Sequence, residues 1–176
     1  TVTNLYGAGK VVKQSQPAQI QREDIKILTG VGTPVKMYDQ VETLNGTLNI
    51  LFKDDTKVSL SKYSKLVIDE YVYDSNKNVG KVSLKGRLGT LRYTSGKIAK
   101  NNRKNVKITS PTASVSVRGT DFTMTVEPTG KTTFQLLPSI DANGNAYTGS
   151  IAVSNSSGVV VLNQAFEVTR VENNFK

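Results

Sequence analysis

From Asn45 onward, apolar residues alternate with polar ones instead of recurring every three or four positions, which is the pattern of half-buried strands. Leu48, Ile50 and Phe52 share one face, Asp54-Asp55 supply a turn, and Val58 with Leu60 resume the spacing. Leu66-Val67-Ile68, Tyr71 and Tyr73 follow, then a turn at Asp74-Ser75-Asn76. The alternation runs on through Val82 and Leu84, Leu91 and Tyr93, Val106 and Ile108, and Val115 and Val117. Phe122-x-Met124-x-Val126 ends at Pro128-Thr129-Gly130, a tight hairpin turn. Phe134-x-Leu136, a loop from Ser139 to Gly149, Ile151-x-Val153, a turn at Asn155–Gly158, Val159-x-Val161 and Phe166-x-Val168 close the chain. Roughly a dozen short strands between turns predict an all-β sandwich, roll or barrel, of which an antiparallel sandwich or roll is the expectation.

The first 30 residues read differently. Apolar positions are sparse there, and Gln14, Gln16, Gln19 and Gln21 surround Pro17. Pro17 suits a first helical turn, so a short helix over 17–28 is one reading. An irregular arm that orders against a neighbour is preferred, because so little hydrophobic surface does not fold alone. Residues 1–29 are therefore expected to be an arm or linker, and 30–176 the β domain, with Gly30-Val31-Gly32-Thr33-Pro34 as the break.

One strand breaks its own period. Val115 and Val117 sit at odd positions, whereas Phe122, Met124 and Val126 sit at even ones. Both sets face a core only if an extra residue or a sharp bend intervenes, and Arg118-Gly119-Thr120-Asp121 is the place for it. Gly119 would take the conformation a Cβ penalises, turning Arg118 and Asp121 sideways to pair with each other or with nearby backbone.

Composition then narrows the chemistry. The 176 residues include no Cys, His or Trp, which excludes disulfides, thiol nucleophiles, Cys/His zinc sites and His-based triads. The carboxylate pairs Asp54-Asp55 and Asp69-Glu70 are sequence neighbours that point to opposite faces of a strand, so neither pair shares a proton. Asp141-Ala142-Asn143-Gly144-Asn145 alternates oxygen side chains as calcium loops do, but Ala146 stands where such a loop needs Gly and Ala152 where it needs Glu. An Asx turn is expected there, with no metal. Gly7-Ala8-Gly9-Lys10, Gly30-Val31-Gly32 and Gly86-Arg87-Leu88-Gly89 lack phosphate-loop spacing and read as turns. No enzyme activity and no cofactor are expected. The longest apolar run, Val159–Leu162, is too short to span a membrane as a helix.

The net charge of +9 has one source. Residues 75–120 hold eleven Lys and Arg and no Asp or Glu, while the remaining residues carry twelve basic and fourteen acidic side chains. Lys97, Lys100, Arg103, Lys104 and Lys107 are the candidate electrostatic contact, fitted to an acidic protein surface or another polyanion. The alternative is a solvated, lysine-protected strand face. Tyr93 is the lone aromatic in that segment and no recognition helix is evident, so nucleic acid is not the expected partner.

The run Ile108-Thr-Ser-Pro111-Thr112-Ala113-Ser-Val115-Ser-Val117-Arg118-Gly119-Thr120-Asp121-Phe122 resembles the signature of FecR-like domains. Asp39-Gln-Val41-Glu-Thr43, the stretch Leu48–Thr56, Val58–Leu60, Ser64–Ile68 and Gly89–Ile98 extend the resemblance over about residues 30–138. Familiar members are membrane-anchored regulators that relay siderophore transport to a sigma factor. This sequence shows neither their helical region nor their membrane helix, so that signalling role is not expected. Residues 118–126, Leu136-Leu137-Pro138 and the stretch Gly149–Asn163 are similar to the free-standing FecR-like proteins of T4-like marine cyanophages. That likeness implies a non-enzymatic virion component, oligomeric in the particle and held by neighbouring virion proteins. The alternative is a periplasmic or extracellular bacterial FecR-like sensor or surface module. Within the motif, Pro111, Arg118, Gly119, Thr120, Asp121 and Phe122 are expected to be structural.

Overall fold

A computed structural model describes residues 7–172, and the strands begin at once. The first nine are β1 (Gly7–Gln14), β2 (Ala18–Arg22), β3 (Ile25–Leu28), β4 (Pro34–Lys36), β5 (Gln40–Thr43), β6 (Leu48–Phe52), β7 (Lys57–Leu60), β8 (Lys65–Asp74) and β9 (Val79–Thr94). A short helix α1 (Lys97–Asn101) and a 3-10 turn at Arg103–Asn105 interrupt them. Then come β10 (Val106–Thr109), β11 (Ser114–Arg118), β12 (Asp121–Val126), β13 (Thr132–Leu137), β14 (Ser139–Ile140), β15 (Ala146–Tyr147), β16 (Ser150–Asn155), β17 (Gly158–Leu162) and β18 (Val168–Val171). The fold is all-β, as the alternation predicts.

Two faces pack against each other, and β9 belongs to both. Its first half pairs with β8 and β10 in a sheet ordered β3-β2-β5-β8-β9-β10-β11-β16-β17. Its second half pairs with β7 and β12 in the order β4-β1-β6-β7-β9-β12-β13-β18. The strand turns between the two at Gly89, whose φ of +80° an L side chain resists. Pairing is antiparallel throughout these sheets except between β9 and β10, which run parallel because α1 carries the chain back across. Alternate residues fill the interior: Phe52 from one sheet meets Tyr71 of the other with ring centroids 5.3 Å apart, and Tyr93 meets Phe122 at 5.4 Å.

The expected N-terminal arm is not an arm where it is described. Residues 7–28 form three strands, two of them built into the sheets beside β6 and β5, and Ala8, Val11, Ala18 and Ile20 are fully buried. No helix forms over 17–28; residues 1–6 of the expected arm lie outside the described residues. The pattern hid these strands for two reasons. A register shift between Gly7 and Gly9 leaves Ala8 and Val11 both buried at opposite parities, and a second between Val11 and Lys13 breaks the period again. Gln19 and Gln21 are the polar side of a strand whose other side is Ala18 and Ile20, and Gln19 Nε2 donates to Glu42 Oε2 at 3.1 Å. Strand β3 then pairs with β2 through a turn at Glu23 and Asp24. At the other end, Val159, Val161, Phe166 and Val168 continue the alternation of half-buried strands, yet all four are exposed.

Candidate functional site

The break in period at residues 118–121 is a corner between sheets. β11 lies in one sheet and β12 in the other, and Gly119 makes the turn at φ +54°. The polar atoms of this corner are largely engaged inside the protein. Ser95 Oγ donates to Thr120 O at 3.0 Å, and Thr120 Oγ1 donates to Leu137 O at 3.1 Å. Asp121 Oδ1 accepts from Ser139 Oγ at 2.8 Å, while Oδ2 accepts from Arg92 Nη2 at 3.2 Å and Thr94 Oγ1 at 3.3 Å. Its cation is thus Arg92, delivered by the neighbouring strand, and the expected Arg118–Asp121 pairing does not form. Phe122 is buried against Tyr93. Upstream, Ser110 N–H donates to Ala113 O at 2.9 Å around exposed Pro111, and buried Thr112 Oγ1 lies 2.9 Å from Gly130 O. The motif therefore joins β12, β13 and the Glu127–Lys131 turn into one unit.

Two further carboxylates are sealed inside. Asp39, fully buried, takes a bidentate contact from Arg22 on β2, Nε to Oδ1 and Nη2 to Oδ2, both at 2.8 Å, and accepts the Lys36 N–H at 2.8 Å. These hydrogen bonds hold the Arg22 guanidinium above its ordinary pKa, against the opposing effect of burial. Asp54, also fully buried, accepts from Tyr71 Oη, from Thr56 Oγ1 at 2.8 Å and from the Ile98 N–H at 3.1 Å. Burial, and then donation to Asp54, push the Tyr71 phenol above its ordinary range. Burial does the same to Tyr93. The Tyr93 hydroxyl has no hydrogen-bond partner, although Ser95 and Thr56 lie near it.

These contacts also position the basic segment. Helix α1 opens at Gly96 without a side-chain cap of its own, and Asp54 serves from a distance: its carbonyl accepts the Lys97 N–H at 2.8 Å and its carboxylate the Ile98 N–H. Ile98 and Ala99 face the core, which leaves Lys97 and Lys100 outward. The next turn is capped by the Asn102 side chain on Lys104 N–H at 3.0 Å.

The five cations picked out by sequence divide into three settings. Lys97 Nζ is 3.3 Å from Asp55 Oδ2, an exposed pair that cancels its charge locally. Lys104 and Lys107 border a cleft of about 300 Å³ that also holds Lys81, Asp69 and Glu70, so two carboxylates, one of them also paired with Lys85, offset part of their field. Lys100 and Arg103 instead meet Arg118 and Gly119 around a cleft of about 430 Å³ with no carboxylate in its lining. Lys100 is shared with an adjoining cleft of about 460 Å³ that adds Lys57, Arg92, Ile140 and Tyr147, where the carboxylate is the already engaged Asp121. Sequence reasoning placed Arg118 in the motif and missed its part here, since nothing in the spacing of 100, 103 and 118 marks them as neighbours.

Other candidates resolve as turns. Asp141 Oδ1 accepts the N–H groups of Asn143 and Asn145, both at 2.9 Å, an Asx arrangement. Among the described residues no group of three or more Asp or Glu side chains converges to hold a metal, and no helix is long and apolar enough to cross a membrane.

Compared with known proteins, residues 39–137 match the family model described as FecR protein. No curated protein matches the chain. The match opens at Asp39, the partner of Arg22, and closes at Leu137, whose carbonyl receives Thr120.

Proposed function

This chain belongs to the FecR protein family through residues 39–137, and from that premise we propose that it is an extracytoplasmic FecR-like sensor or surface module, non-enzymatic, that works by docking an acidic protein surface. The observation that carries the reading is the cleft of Lys100, Arg103 and Arg118. Three cations from two separate segments converge there without a carboxylate, whereas the other basic residues picked out by sequence sit beside acidic ones. An uncompensated field of this kind favours an anionic partner and accelerates its encounter. Ile140 and Tyr147, exposed beside Lys100, supply apolar contact at the rim. Thr120 and Asp121 of the motif are spent on internal bonds, and the chain lacks His and Cys; both features support binding rather than turnover. Tyr93, the one ring of residues 75–120, is buried, so base stacking there would fall to Tyr147 alone, a single ring and not the series of rings that single-stranded nucleic acid binders use.

A second reading sets the same docking body in a phage particle among neighbouring virion proteins. It rests on the resemblance noted for the stretch Gly149–Asn163, which here supplies the hairpin β16–β17.

The test is titration of the protein with poly-glutamate at about 50 and 200 mM salt. Binding that weakens at least tenfold with salt, and falls a further tenfold or more in a Lys100→Glu/Arg103→Glu/Arg118→Glu variant, is expected. Equal binding by the variant overturns the assignment of the cleft.

A further inference from the structure

Among the described residues, four strands end the two sheets: β3, β4, β17 and β18. Three carry the features that discourage edge pairing. β4 holds Pro34 and Lys36, β3 holds Lys26, and β18 holds Arg170. β17 is Gly-Val-Val-Val-Leu, with no charge, no proline and no register shift against β16. Val159, Val160 and Val161 remain 65%, 48% and 55% exposed, three consecutive valines on one open edge.

The edge is also self-complementary. β16 and β17 are joined by the two-residue loop Ser156-Ser157, so the closing pair Asn155–Gly158 is hydrogen-bonded and the pattern alternates from it. Gly158, Val160 and Leu162 therefore spend their backbone groups on β16, while the N–H and C=O of Val159 and Val161 point away from the sheet. An antiparallel strand centred on Val160 sets Val159 opposite Val161 and Val161 opposite Val159. All four outward groups on each side then find partners. The side chains match as well. Val160, opposite buried Val153, lies on the inner face beside a cleft of about 440 Å³ bounded by Thr169, Arg170 and Val171 of β18, which is the space an added strand would fill. A second copy brings the same uncharged strand, so β17 itself adds no charge beside the exposed Arg170 and Glu172 that border the cleft.

We propose that β17 pairs with β17 of a second copy in an antiparallel, two-fold contact centred on Val160, continuing the sheet from one copy into the next. The contact is independent of the Lys100 cleft. A single strand pair covers well under the roughly 800 Å² per partner of a stable complex, so a dissociation constant on the order of 100 μM or weaker is expected. With +9 on each copy, salt of about 0.3 M is needed to screen repulsion.

Sedimentation of the full chain at about 0.3 M salt should show a weight-average mass rising with concentration from 19.1 kDa toward twice that value. Val161→Pro removes only an outward N–H, which an edge strand tolerates, and should keep its fold by circular dichroism while staying monomeric. Val161→Lys, which keeps the backbone donor, should do the same. Because the chain has no cysteine, register is read directly. Val160→Cys should cross-link between copies at least tenfold faster than Val159→Cys. Position 160 meets its own counterpart at about 4.5 Å between Cα atoms, whereas position 159 meets position 161. A mass independent of concentration up to about 1 mM (roughly ten times the expected dissociation constant), association that survives both Val161 variants, or equal cross-linking at 159 and 160 overturns the proposal.

Discussion

Tyr71 and Asp54 bond to each other twice. The Tyr71 hydroxyl donates to Asp54 Oδ1 at 2.6 Å and accepts the Asp54 backbone N–H at 2.9 Å, in a site from which water is excluded. The same carboxylate holds the start of α1, so one buried anion links β8, the β6–β7 turn and the helix that presents Lys100. Tyr71→Phe leaves that carboxylate short of a strong donor and is expected to cost about 2 kcal/mol in urea unfolding. It should also loosen α1, seen as faster amide exchange at Lys97 and Ile98. A stability loss without faster exchange there would break the proposed link to the helix.

Both buried phenols titrate later in the folded chain than in the unfolded one. Above a pH of about 10 the unfolded chain therefore releases tyrosine protons that the folded chain retains, and stability falls as pH rises. Below that pH the contribution is fully present. The urea midpoint is expected to drop between pH 9 and pH 11, and less steeply in a Tyr71→Phe/Tyr93→Phe variant. An unchanged slope in the variant would assign the drop to other groups.

Tyr93 differs from Tyr71 in having no partner for its hydroxyl. An unpaired buried hydroxyl is a cost that folding carries, so Tyr93→Phe is expected to leave stability unchanged or raise it by up to about 1 kcal/mol. Thermal melting of the two single Phe variants side by side gives the contrast: one loses stability and the other does not.

Arg22 ties the first strands to the family-matched body through Asp39. Arg22→Met strands a fully buried carboxylate and is expected to cost about 3–5 kcal/mol. Lys at this position should restore little, because a point charge does not reproduce the two-pronged contact. Removing residues 1–28 takes away β1–β3 with their buried Ala8, Val11, Ala18 and Ile20, and the truncated chain is expected to unfold or aggregate. A cooperative melt from that truncation would return these residues to the status of an appendage.

Gly119 has open space where a Cβ would go, yet its φ is +54°. Gly119→Ala should therefore cost about 1–2 kcal/mol from backbone strain alone, and Gly119→Asn less, since Asn tolerates this region. Equal costs for the two variants would point to a clash instead of the dihedral.

Much of the fold was legible in the chain because strand periodicity is local. Alternation from Leu48 to Val126, the turn at Pro128–Gly130 and the parity break at Gly119 each depend on residues within a few positions, and each stands where the pattern put it. The N-terminal strands escaped because their register shifts erase the period and Gln occupies their outer face. The exposure of Val159 and Val161 was not legible for a related reason: alternation says that a strand has two faces, and leaves open whether either one is covered.

What the sequence determined by itself was the class of fold, the location of its sharpest corner and the amount of charge. Which groups meet was decided by tertiary structure. Arg22 reaches Asp39, Asp54 receives Tyr71 and Ile98, and Lys100, Arg103 and Arg118 gather while Lys97, Lys104 and Lys107 are drawn off beside carboxylates. The physical reason is that these meetings depend on strand order and register between segments far apart in the chain. Those are set by the packing of the whole core, and no local pattern encodes them.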